Sequence, residues 1–100
     1  MDKKDIYSNA IIIYGIYWQM VKAVEEMAEL QKELCKKIIG VSIDSRGSTN
    51  NLSKIAEEIA GVRIMLEQVE KYYKLEKEIE TIQEKKLKRL AIKLEAWKVI

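Results

Sequence analysis

The side chains in this chain whose type and spacing could do chemistry are glutamates. Glu25-Glu26-Met27-Ala28-Glu29-Leu30 has a near copy further along, Glu57-Glu58-Ile59-Ala60-Gly61-Val62. Carboxylates at i and i+3 share one face of a helix and repel one another mildly in water. Held against an apolar seam they also lose hydration, which is costly unless a cation is present. An oxygen-only set of this kind suits a hard divalent ion, Mg2+ or Mn2+, rather than zinc. The plainer alternative is that Glu26, Glu29 and Glu58 are solvated flank charges of the sort soluble helices carry. The duplication in matching register brings the two readings level without deciding between them. If the copies pack together, three carboxylates converge, and the fourth corner, residue 61, is glycine.

The elements that must position these acids are two long amphipathic helices. Met20, Ala23, Met27, Leu30 and Leu34 fall on steps of three and four, the seam of a packed helix. Leu52, Ile55, Ile59, Val62, Leu66, Val69 and Tyr73 repeat those steps downstream. The spacing predicts a first helix over 4–14, with Ile6, Ala10, Ile13 and Tyr14 as its apolar stripe and Ile11 and Ile12 widening it. Gly15 breaks the path. A second helix is expected from Tyr17 to Ile39, with Gly40 as its C-cap after Lys36 and Lys37. Residues 40–50 read as a loop, rich in Ser, Asp, Gly, Thr and Asn. Gly47-Ser48-Thr49 lacks the glycine and lysine of a phosphate-binding P-loop. Asn50 or Asn51 would cap a third helix running to Tyr73. A turn over 74–77 precedes a last helix to Trp97, with Ile79, Ile82, Leu87, Leu90, Leu94 and Trp97 inward. The fold class expected is all-α, a four-helix bundle in one domain, 1–100.

Composition removes several chemistries. The chain has no proline and four glycines, and 34% of it is charged with a balance of +2, so no overall field points to nucleic acid or an anionic membrane. Histidine is absent, which excludes imidazole bases and ligands and the Ser-His and Cys-His nucleophile pairs. Cys35 is the single cysteine; no internal disulfide can form, a reducing cytoplasmic setting is expected, and the thiol reads as buried filler. The apolar run from Ala10 to Trp18 is too short to span a bilayer. Lys85, Lys86, Lys88 and Arg89 form a basic face that Glu76, Glu78, Glu80 and Glu84 could simply balance. Alternatively one or two of those cations, or Arg63 or Lys22, reach phosphates near the acids.

Gln19-x-x-Lys22-Ala23-x-Glu25-Glu26-Met27-Ala28-Glu29-Leu30, then Glu57-Glu58-Ile59-Ala60, then Ile64-Met65-Leu66-Glu67-Gln68, resembles the MazG-like family. These are all-α nucleoside triphosphate pyrophosphohydrolases, and the likeness is strongest to small forms found in phages and prophages. Glu84-Lys85-Lys86-Leu87-Lys88-Arg89-Leu90 resembles the family's basic last helix, so the likeness spans about residues 10 to 95. It implies a Mg2+ site that hydrolyses an NTP or dNTP to the monophosphate and pyrophosphate. Glu26, Glu29 and Glu58 match three metal ligands of the family, and Gly61 stands where the fourth, an aspartate, would be. Gln19 and Lys22 match pocket positions; Gly61, Lys85 and Arg89 complete the expected nucleotide-binding set. A homo-oligomer, dimer or tetramer, is also implied.

Gly61 weakens the expected metal set, since Mg2+ binds through few carboxylates and loses one here. Met65, one turn on, cannot replace it; Glu57 faces elsewhere, and Glu25 or Glu33 would have to swing in. Glycine leaves room for a bulkier ligand, or serves close helix packing. Two functions follow: a metal-dependent pyrophosphohydrolase, or a protein that captures a nucleotide or nucleotide-derived signal without cleaving it, in a phage a sponge for a host defence messenger. A ligand-free architectural bundle fits the heptads but not the paired acids.

Overall fold

The computed structural model describes residues 1–43 and 50–98, side chains at 41–43 excepted. The described residues form four helices, α1 (Lys3–Tyr14), α2 (Ile16–Ile43), α3 (Leu52–Tyr72) and α4 (Glu76–Ala96), and no strand. They divide into two compact units, Met1–Val69 and Glu70–Ile100. No described helix is long and apolar enough to cross a membrane.

In the first unit, α1 starts where Asp2 accepts a hydrogen bond from the Asp5 amide at 2.8 Å, an N-cap that satisfies one orphan donor. It ends at Gly15, whose φ of 86° is disallowed for most side chains, so the expected break is real. The Gly15 amide closes on the Ile11 carbonyl at 2.8 Å, and Gln19 N–H reaches the Gly15 carbonyl at 3.1 Å, restarting the helix at once. The stripe that anchors α1 differs from the expected one. Tyr7 is its buried residue; Ile6, Ile12, Ile13 and Tyr14 are exposed. The Tyr7 phenol donates to Glu67 of α3 at 2.6 Å, and Lys3 meets the same carboxylate at 2.9 Å. A polar anchor therefore overrides the apolar stripe in setting the rotation of α1.

The same substitution of polar for apolar governs α2 against α3. Gln19, Ala23 and Glu33 are buried on α2, with Glu26 and Leu30 half-buried between them; Met20, Met27 and Leu34, which the heptad places inward, are exposed. On α3 the buried set is Glu58, Val62 and Gln68, while Leu52 and Leu66 are exposed. Only Ala23, Leu30, Ile55, Ile59, Val62 and Val69 of the expected seams are at least half-buried. Cross-links fix an antiparallel register. At one end Gln19 Nε2 donates to Gln68 Oε1 at 2.8 Å. At the other, Asn51 Nδ2 donates to the Glu33 carboxylate and backbone carbonyl, both at 3.0 Å. Asn51 thus ties the helices together instead of capping α3 with its side chain, and its buried Oδ1 lacks a partner. The polar seam is selected because Gln19 and Gln68 pair with each other and the Asn51 NH2 pairs with Glu33 across the gap, whereas a buried polar group left unpaired costs about 1–3 kcal/mol.

α2 continues through Gly40 to Ile43, so the expected C-cap at Gly40 is not made. The Gly47-Ser48-Thr49 stretch lies outside the described residues. Cys35, expected as buried filler, is exposed. In the second unit the chain turns at Lys74, which takes a φ of 56°, with Leu75 N–H bonded to the Glu70 carbonyl at 2.9 Å. α4 follows with Glu76 and Glu78 in its first turn and Lys93 in its last, matching the helix dipole. No residue of α4 is buried; of the stripe expected to turn inward, Ile79 is half-buried and Ile82, Leu87, Leu90, Leu94 and Trp97 are exposed.

Candidate functional site

Glu26 and Glu29 lie one turn apart on α2, and Glu58 sits opposite them on α3. Antiparallel pairing brings one carboxylate oxygen of each within 4.8 Å of the other two. Glu58 is buried, Glu26 half-buried and Glu29 exposed, so the cluster opens to solvent through Glu29. Glu29 and Glu58 share a hydrogen bond. That bond, then the negative charges of Glu58 and Glu26, hold the Glu29 carboxyl above the ordinary carboxylate range.

A cation is built into the edge of the cluster. Lys54, one turn before Glu58, places its ammonium 3.3 Å from Glu58 and 3.7 Å from Glu57. The hydrogen bond to Glu58, followed by the charges of Glu57 and Glu58, raises its pKa. Where a divalent ion would sit against three acids, the Lys54 ammonium supplies a single positive charge to one of them. Sequence reading overlooked Lys54, though its i, i+4 spacing to Glu58 was the signal.

Gly61 faces the same space from α3. A Cβ there would lie 2.5 Å from Glu26 Oε2 and 3.3 Å from its Cδ. The Glu26 carboxylate therefore occupies the volume a side chain at 61 would need. The glycine serves close approach, but of a carboxylate rather than of another helix backbone.

The other acids near the cluster are held elsewhere. Glu25 pairs with Lys22 at 3.1 Å, and that pair, more than the charges of Glu26 and Glu29, raises the Lys22 pKa. Glu33 is tied to Asn51 and to Lys36 at 3.4 Å, and the Asn51 bond does most to lower its pKa. Glu57 points to Lys54. Of the residues the sequence singles out, Glu26, Glu29, Glu58 and Gly61 meet. Lys22 lies one turn from Glu26 with its ammonium on Glu25. Gln19 is buried in its pair with Gln68. Arg63 is exposed on α3. Lys85 and Arg89 belong to the second unit, where Arg89 lines a surface groove with Lys86, Leu90 and Lys93.

Comparison with protein-family models, with curated proteins and with solved structures finds no match for this chain.

Proposed function

We propose that Glu26, Glu29 and Glu58 hold a divalent cation, Mg2+ or Mn2+, against the phosphate chain of a nucleotide, as the likeness to MazG-like pyrophosphohydrolases implies. One observation carries this reading: three carboxylates from two antiparallel helices converge within 4.8 Å beside a glycine that leaves room for one of them. The donor set is all oxygen and hard, which fits those ions and not zinc. When bound, such an ion neutralises charge on a phosphoanhydride and activates water for attack on it. Glu58, buried, fixes the inner edge of the site, and Glu29 offers the solvent-facing oxygen. Lys54 stands where it can release Glu58 and turn to a phosphate. Reaction of an NTP or dNTP to the monophosphate and pyrophosphate is the activity this arrangement supports, in a homo-oligomer, dimer or tetramer.

A second reading is favoured by the missing carboxylate at 61 and by the fixed positions of Glu25, Glu33 and Glu57. With three acids and Lys54 as resident counter-ion, the protein captures a nucleotide or nucleotide-derived signal without cleaving it. Pyrophosphate release from NTPs and dNTPs with Mg2+, set beside mass spectrometry of any co-purifying nucleotide, decides between the two. Turnover lost in Glu58→Gln establishes the hydrolase. A retained nucleotide without turnover establishes the binder. Neither turnover, bound nucleotide nor Mn2+ affinity would remove both.

A further inference from the structure

We propose that the outward face of α2 is where a second copy of this chain docks, the two α2 helices running antiparallel across a two-fold axis. This rests on the homo-oligomer reading above but not on the nucleotide one.

Tyr17, Val21, Val24, Ala28, Gln31 and Cys35 step by fours and threes along α2, and all six are exposed. Tyr17 is 77%, Val24 62% and Val21 48% exposed, with Met27 and Leu34 beside them at 41% and 42%. Every charged side chain of α2 falls on the rest of the helix circumference, so the face carries no charge over about five turns. Residues of these sizes at these exposures present on the order of 600 Å² per copy, at the upper end of what monomers leave open. Two copies would bury roughly 1,200 Å² together, the lower bound of a specific interface.

Charge at the border picks the occupant. One edge of the face is the seam with α3; the other carries Lys36 and, seven residues apart and of opposite sign, Lys32 and Glu25, the latter also held by Lys22 of its own helix at 3.1 Å. A two-fold, antiparallel pairing centred between them sets Glu25 of each copy beside the partner's Lys32, twice over, as an isologous contact requires. Parallel pairing makes neither contact.

Sedimentation equilibrium of the full chain tests this. The wild type is expected at two copies of 11.7 kDa or a multiple of two. Val24→Glu with Met27→Glu is expected to sediment as a single chain while its helical circular dichroism persists. Where that variant fails to fold, Glu25→Lys and Lys32→Glu serve, both at exposed positions. Each is expected to weaken self-association about 2- to 10-fold, and their combination to restore it. A monomeric wild type at 100 µM, with or without affinity for anionic vesicles, overturns both the oligomer and this face. An oligomer unmoved by the folded double variant overturns the face alone. Failure of the charge swap to restore association overturns the antiparallel pairing.

Discussion

At the scale of single residues, Gly61 and Glu29 govern how the acidic cluster responds to change. Gly61→Ala removes a mid-helix glycine, which alone stabilises a helix by about 0.5–1 kcal/mol. Its Cβ also evicts the Glu26 carboxylate, and because the displaced atoms are the far end of a flexible side chain the eviction is inexpensive. The variant should therefore melt at the same temperature or higher while binding Mn2+ several-fold more weakly, measured by thermal denaturation and calorimetric titration. Equal Mn2+ affinity would show that Glu26 is not a ligand. Glu29 gives the pH dependence. Its pKa is raised in the fold, so its contribution is fully present below the ordinary carboxylate value of 4.5 and is lost as pH rises through the raised value. Urea denaturation of the metal-free protein should show this contribution disappearing from just above pH 4.5 toward neutrality. Glu29→Gln should flatten that part of the profile.

At the scale of elements, paired polar groups hold the helices in rotation. Gln19 and Gln68 are both buried and bonded to each other. Gln68→Leu should cost about 1–3 kcal/mol because it strands the Gln19 amide, whereas Gln19→Leu with Gln68→Leu should recover most of that loss. A double-mutant cycle in urea measures the coupling, and additive losses would mean the pair does not set the register. α1 depends on a similar bond. Tyr7→Phe leaves Glu67 without its phenol donor and should cost about 1 kcal/mol. Burial, then the bond to Glu67, pushes the Tyr7 pKa up to about 12, so its contribution holds below pH 10 and is lost between 10 and 12. A wild-type alkaline transition that Tyr7→Phe leaves in place would assign it to another group.

At the scale of the whole molecule, apolar surface left exposed on α2 ties stability to association. If two copies fold together, the melting temperature must rise with protein concentration, because association favours the native state by mass action. Melting curves between 1 and 100 µM should shift upward by several degrees; a constant midpoint would describe a chain stable by itself.

Helix number and the breaks at Gly15 and Lys74 were legible in the residues, because a glycine, a phase slip and the three-and-four spacing are local signals; the end of α2 was not, since the helix runs through Gly40 to Ile43. So was the meeting of Glu26, Glu29 and Glu58, since their duplicated register needs only that α2 and α3 lie side by side. The rotation of those helices was not legible. A heptad reading turns Met20, Met27 and Leu34 inward, but hydrogen-bond complementarity between Gln19 and Gln68, and between Asn51 and Glu33, exists only once both helices are placed. Nor could spacing show that the Glu26 carboxylate fills the volume above Gly61, or that Lys54 already neutralises Glu58. Sequence determines which groups are available; packing alone decides which of them share a few ångströms, because hydration, charge and hydrogen bonding all depend on distances between residues far apart in the chain.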